Sequence, residues 1–223
     1  MWLKSAARVV ALILLFGSLL FGSAGRLDWT TGWGFFCCYL LAVFAVGAWL
    51  KRHDPQLLRE RRNPGKNVKS WDRFLMRTYG SLLLGLLVLA SLDAGRFGWS
   101  RVPLLVQLAG SAGFLPAGAL VLWAMSNNTF LSKYVRIQED RSHQVAIAGP
   151  YQYVRHPMYT GVILFIFFVP LALGSWWALL PAGAIIVLFI ARTVLEDATL
   201  QKELEGYTDY ARTVRYRLLP GVW

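Results

Sequence analysis

A chain of 223 residues that is 56% hydrophobic and only 16% charged is too apolar for an ordinary soluble domain, in which about a quarter of residues are charged. Its net charge of +11 does not point to nucleic acid, because the cations gather in alternate loops, as the positive-inside rule requires of a polytopic membrane protein. The expected fold is all-α: a bundle of five to six transmembrane helices, six being the working count, with a cytoplasmic helical tail.

Apolar segments run over roughly 7–24, 29–50, 74–92, 102–125 and 158–194. The first follows Lys4 and Arg8 like a signal peptide, but its apolar core exceeds a typical signal h-region and the topology needs it, so it reads as a retained helix. Cys37 and Cys38 are adjacent within the second segment and read as small apolar packing residues. With His53, His143 and His156 they show no zinc-ligand spacing. The 51–73 loop carries eight Lys or Arg and reads as a solvated face attracted to lipid headgroups. Gly80, Gly85, Gly110 and Gly113 offer places for close helix approach.

From Ser126 the pattern loses helical period until Gly149, with an extended piece expected over 135–147. The apolar run from 158 to 194 is too long for one crossing of a roughly 30 Å hydrocarbon core, so it predicts a helical hairpin broken at 174–177 and Pro181. The last span is expected to continue to Glu205 and stop at Gly206, with Tyr210, Arg212, Arg215 and Arg217 on a second short helix ending at Pro220-Gly221. Counting Lys and Arg, only Arg26, Arg96 and Arg101 fall on the opposite side, so both termini and the two long loops are expected in the cytoplasm, and the small size of the chain suggests a bacterial inner membrane. Trp29, Trp33, Trp99, Trp176 and Trp177 fall near span ends on the far side, as aromatic anchors do. The chain reads as a single membrane domain over 1–223, with a helical scaffold at 1–125 and a functional half at 126–223.

Two constellations carry chemistry. Gly149-Pro150-Tyr151-Gln152-Tyr153-Val154-Arg155-His156-Pro157-Met158-Tyr159-Thr160-Gly161 sets aromatic and ionisable residues at the start of a span, where such groups are tolerated only if protein or a wet cavity satisfies them. Arg192 and Glu196 stand four apart on one helix face, with Asp197 beside them. An interfacial belt of tyrosines and a snorkelling salt bridge are the bland readings.

Together with Tyr210 and the tail Val214-Arg215-Tyr216-Arg217-Leu218-Leu219-Pro220-Gly221, these blocks resemble the isoprenylcysteine carboxyl methyltransferases and their bacterial relatives, which include phospholipid N-methyltransferases. The resemblance covers residues 126–223; the first half carries no motif of the family. It implies an S-adenosylmethionine-dependent methyltransferase of membrane helices, with the cofactor in a pocket closed by the tail. The family's cofactor contacts fall on Gln138, on His143, Gln144, Val145 and Ala146, on Tyr151, on His156, Pro157, Met158 and Tyr159, and on Glu196. Its catalytic, substrate-side arginine falls on Arg192. Asp197 departs from a second glutamate and is a further substrate-binding candidate should the acceptor be an amine. The acceptor is expected to be a lipid or isoprenoid-like molecule drawn from the bilayer, presenting a carboxylate, amine or thiol, with no nucleic acid and no obligate protein partner. Two alternatives remain: an NADPH-dependent sterol-type reductase, whose C-terminal half is similar, and a non-enzymatic transporter or structural protein.

Overall fold

The structure is a computed structural model that describes residues 2–63 and 67–223; Lys66 of the basic loop and the side chains of Lys4 and Arg8 lie outside the described residues. The described residues form helices and irregular segments, with no strand among them. Helix α1 is Trp2–Ala24, α2 Thr30–His53, α3 Pro55–Arg62, and α4 Ser70–Ala90, which runs on into a π-helical turn, Ser91–Phe97. Helices α5 (Leu104–Ala112) and α6 (Phe114–Ser126) adjoin at Gly113, α7 is Pro157–Leu173, α8 Leu179–Glu203 and α9 Tyr207–Thr213.

Four helical stretches are long and apolar enough to cross a bilayer, Thr30–His53, Ser70–Phe97, Leu104–Ser126 and Leu179–Glu203; Val10–Ala24 and Pro157–Leu173 are shorter apolar helices. Exposed Leu12, Leu41, Leu84, Leu105 and Leu180 suit a surface solvated by lipid rather than water. Cys37 and Cys38 are exposed and free, so they do not serve the interior packing that their small apolar character suggests.

Helix α7 occupies the centre, against α5, α6 and α8. It starts with Pro157 at its first position, where a missing N–H costs nothing, and stops at Gly174, whose φ of 80° suits a residue without a side chain. Around α7, close helix approach falls at three glycines. A Cβ on Gly161 would lie 2.7 Å from Val121 and 2.9 Å from the Ala117 carbonyl, and one on Gly110 or Gly113 would meet Ala172 or Phe168 at 2.6 and 2.4 Å. Gly80 and Gly85 have nothing within 4 Å; they do not mark contacts, because a small residue is needed only where a second backbone arrives.

At one end of the bundle the buried Asp93 accepts bonds from the Ser100 amide at 2.7 Å and from the hydroxyls of Ser100 and Ser175, each at 2.5 Å, tying the π turn to the α7–α8 hairpin. Trp33, Trp99, Trp176 and Trp177 are exposed as anchors should be, whereas Trp29 is buried beneath Gly32 and Gly95. At the other end Glu60 bonds Arg136 and Lys69 bonds Glu203, which gathers α3, the 127–156 segment and the foot of α8 on one face.

Three local expectations change. Residues 135–147 form no strand but an irregular path with a 3-10 turn at Glu139–Arg141 and a left-handed Ser142: the Val135 amide donates to Asp72 and its carbonyl accepts from the Lys69 amide, while the Gln138 carbonyl accepts from the amides of Arg141 and His143. Helix α8 ends at Glu203, with Gly206 heading α9 instead of closing α8. Helix α9 ends at Thr213, so Arg215 and Arg217 lie in a non-helical strap whose carbonyls serve other partners.

Substituting Gly161→Ala drives a methyl into α6 backbone and should lower stability by about 1–3 kcal/mol, read as a fall in the unfolding midpoint in detergent. Gly80→Ala, with open space at its Cβ, should leave that midpoint unchanged or raise it slightly.

Candidate functional site

The site forms where the 127–156 segment, the first turn of α7, the foot of α8 and the tail meet. Gly149 adopts φ 60° and lies so close to Asn127 that a Cβ would stand 2.5 Å from its side chain; this turn sends Gly149–Gln152 into a 3-10 helix. Tyr151 is thereby buried, its hydroxyl accepting from Asn128 at 3.2 Å and its carbonyl accepting from the Tyr210 hydroxyl at 2.7 Å. The amides of Arg155 and His156 donate to the carbonyls of Tyr216 and Arg217, both at 2.9 Å, and Thr160 donates to the Leu218 carbonyl at 2.8 Å. The tail is thus laced to the start of α7 by main-chain bonds.

Asp197, 1% exposed, is the knot of this lacing. Arg155 grips it through two bonds of 2.8 and 3.0 Å, and Tyr207, Gln201 and Arg217 donate to it at 2.9, 2.9 and 3.1 Å. The remaining Arg155 nitrogen donates to the Val214 and Arg215 carbonyls at 2.9 and 3.1 Å. A buried carboxylate is tolerable when its lone pairs are filled in this way. Burial, and then the Asp197 charge, raise the Tyr207 hydroxyl far above its ordinary range, so it stays a donor.

Above this knot lies a cavity that is partly open to solvent. Its wall brings together His143, Gln144, Val145, Ala146, Tyr151, His156, Met158, Tyr159, Arg192 and Glu196. Gln138, Pro157 and Asp197 are not brought to it. Gln138 is fully buried, bonded to the Phe130 carbonyl and to Arg141, each at 2.6 Å; it shapes the loop from behind.

Within the cavity the rings of His156 and Tyr159 lie parallel, 5.7 Å apart, and the Tyr159 hydroxyl donates to Oε2 of Glu196, leaving Oε1 free of any bond among the described residues. Arg192 is 3% exposed. Asp72 takes its Nε at 2.7 Å and its Nη2 at 3.2 Å, and the Lys133 carbonyl takes Nη2 at 3.0 Å. Nη1 has no partner among the described residues, and the guanidinium lies over the Tyr159 ring, 5.1 Å from its centroid. Burial raises the Tyr151 hydroxyl above the usual tyrosine range. Burial, then the charges of Arg136 and Arg141, lower His143 from 6.5 to about 4, so it is neutral near pH 7.

Sequence reasoning missed Asp72, Tyr207 and the role of Arg155 and Tyr210 in fixing the wall. The one signal for Asp72 is an acid heading a span that follows a basic loop, which names a cation-seeking residue but not its partner 120 positions away.

Residues 106–205 match the model of the phospholipid methyltransferase family. No curated protein matches the chain. The matched stretch holds the cavity wall from Asn128 to Leu204 and leaves out Asp72, α9 and the tail.

Asp72→Ala should cost about 3–5 kcal/mol, because it strands a buried guanidinium, whereas the double variant Asp72→Leu with Arg192→Met should recover most of the loss; unfolding midpoints of the two variants and the unaltered protein in detergent measure both. His143 binds a proton more weakly folded than unfolded, so its contribution is complete above pH 6.5 and is lost as pH falls toward about 4. His143→Gln should flatten the pH dependence of the unfolding midpoint across that window.

Proposed function

We propose that this chain, whose residues 106–205 belong to the phospholipid methyltransferase family of membrane methyltransferases, transfers a methyl group from S-adenosylmethionine to a lipophilic acceptor drawn from the bilayer. The reading is carried by one observation. Glu196 on α8 and, from the stretch before and into α7, the 143–146 segment, Tyr151 and the parallel His156 and Tyr159 rings line a single cavity beside an arginine with an unused donor.

The residues suit the cofactor's mixed chemistry. S-adenosylmethionine presents an ammonium, a carboxylate, ribose hydroxyls and an adenine, and when bound it supplies a methyl group on a sulfonium sulfur. The free oxygen of Glu196 accepts from the ammonium or the ribose. Tyr151, His156 and Tyr159 form an aromatic wall for the adenine. His143, neutral near pH 7, adds no cationic repulsion against the sulfonium. A displacement of this kind needs alignment more than acid or base, and the walls hold few mobile groups: Tyr151 is fixed at both ends, and Arg192 on two sides.

Arg192 takes the acceptor's side, its Nη1 directed to a carboxylate or phosphate oxygen. Asp197, whose oxygens already take Arg155, Arg217, Tyr207 and Gln201, holds the tail over the cofactor rather than an amine acceptor. Residues 126–223 then form the catalytic half and 1–125 its scaffold, with the basic loops, the site and both termini on the cytoplasmic side.

Calorimetric titration of S-adenosylmethionine into detergent-solubilised protein, with transfer of labelled methyl into a total membrane lipid extract, tests the reading. Glu196→Gln should weaken cofactor binding about tenfold or more. Arg192→Lys should keep cofactor affinity and lose turnover by about a hundredfold, since an ammonium cannot replace a planar fork. Absence of cofactor binding by the unaltered protein, or equal binding by Glu196→Gln, would overturn it.

A further inference from the structure

The strap that follows α9, residues 214–223, turns its main chain inward and part of its apolar side chains outward. Six consecutive carbonyls are bonded within the protein. Val214 and Arg215 accept from Nη1 of Arg155 at 2.9 and 3.1 Å, Tyr216 and Arg217 from the amides of Arg155 and His156 at 2.9 Å each, Leu218 from the Thr160 hydroxyl at 2.8 Å, and Leu219 from the amides of Val222 and Trp223 at 3.2 Å each. The amides of Arg217, Leu218 and Leu219 converge on the main-chain oxygen of Trp223 at 2.9, 2.9 and 3.2 Å. A surface loop in water needs no such pairing, because water fills its carbonyls; a segment that meets hydrocarbon does. Yet Leu219 is 50% exposed and Val222 77%, and the run Leu218-Leu219-Pro220-Gly221-Val222-Trp223 carries no charged side chain.

The strap also lies at the level where α7 leaves the bilayer. Helices α6 and α7 run in opposite directions, with Gly113 against Phe168 and Gly161 against Val121, and continuing that register sets Trp123 beside the first turn of α7. Trp123 is exposed and meets the exposed Tyr153 ring, centroids 6.3 Å apart, an aromatic pair of the kind that marks a membrane–water boundary. Thr160, in that same first turn, holds Leu218. The 17 residues of α7 span about 25 Å, less than the roughly 30 Å of a hydrocarbon core. With Trp176 and Trp177 exposed just past its far end, the boundary on the near side falls at the first turn or beyond it. Arg215, next to the apolar run, is exposed, and its side chain has no partner among the described residues.

We propose that the turn from Leu219 to Val222 is a membrane anchor: the side chains of Leu219 and Val222 sit among the lipids of the leaflet beside the first turn of α7, and Arg215 meets anionic headgroups at its surface. The occupant of the patch is lipid, not a second copy of the chain, because Arg155 and Thr160 join the strap to the turn from which the lipid-facing surface of α7 rises. Helix α9, which brings Tyr207 and Tyr210 to the cavity, is then held on one side by Asp197 and on the other by a strap seated in the bilayer. The inference does not depend on methyl transfer.

The full chain, with its free thiols removed by Cys37→Ser and Cys38→Ser, takes a single cysteine through Leu219→Cys, Val222→Cys or, as a reference on the exposed side of α9, Thr208→Cys. Each is labelled with a nitrobenzoxadiazole fluorophore and reconstituted into phosphatidylcholine vesicles with and without phosphatidylglycerol. Labels at 219 and 222 should emit to the blue of the label at 208. They should be quenched by lipids carrying a nitroxide near the top of the acyl chain and shielded from aqueous iodide, the reverse of the order at 208. Phosphatidylglycerol should deepen the lipid quenching at 222, and Arg215→Gln should remove that gain; an equal gain in Arg215→Gln takes Arg215 out of the site. Iodide quenching at 219 and 222 equal to that at 208 overturns the proposal. So does shielding from both quenchers together with energy transfer between donor-labelled and acceptor-labelled copies, which would mark an interface between chains. Should Leu219→Cys or Val222→Cys fail to fold, Pro220→Cys, exposed in the same turn, carries the same comparison.

Discussion

A buried carboxylate that must be fully paired is the constraint on which the rest of the site depends. Asp197 cannot stay in the protein interior as an anion without donors on every side, and those donors come from the turn before α7, from α8 itself, from α9 and from the strap that follows it. Satisfying one charge therefore brings four separate parts of the sequence to one place. Arg155 extends the effect, because the nitrogen it does not give to Asp197 goes to tail carbonyls. Arg155 and Tyr207 are both part of the cavity wall, so this knot fixes that part of the wall in place.

Helical geometry then divides labour between neighbours. Successive residues on an α-helix point about 100° apart, so Glu196 faces the cavity while Asp197 faces the tail. Arg192, one turn before Glu196, shares its side and meets Tyr159 together with it. The two acids are adjacent in sequence, but one is left with a free oxygen and the other with none. Residue type alone does not distinguish them; the direction of each side chain does.

The membrane fold was legible because the solvent is uniform: a bilayer demands long apolar helices, and 30–53, 70–97, 104–126 and 179–203 show them directly. Pro157 and Gly174 mark the ends of α7 through backbone rules that need no partner. Within the site, the Tyr151, His156–Tyr159 and Arg192–Glu196 blocks were legible as blocks. What escaped was pairing across the chain. Asp72 meets Arg192 across 120 positions, and Glu60 meets Arg136 across 76; local pattern carries no record of such distances. Gly80 and Gly85 misled for the same reason, since close approach depends on what lies opposite. Trp29 looked like an interfacial anchor, but Gly32 and Gly95 leave a slot that its ring fills.

These cross-chain pairs also limit how far the first half can be regarded as passive. Asp72 fixes Arg192 and, through its second oxygen, accepts from the Val135 amide at 2.7 Å, so a residue of α4 sets both the orientation of the cavity arginine and the course of the loop beside it. Glu60 does the same for Arg136 and Ser132. Without α3 and α4 the second half would retain its motif residues and lose the groups that compensate two of its buried guanidiniums. Uncompensated, those charges would draw water or unfold the loop. The family match covers residues 106–205, but the physical site reaches beyond it: it includes two carboxylates from α3 and α4, and their positions, not their neighbours in sequence, give them that role.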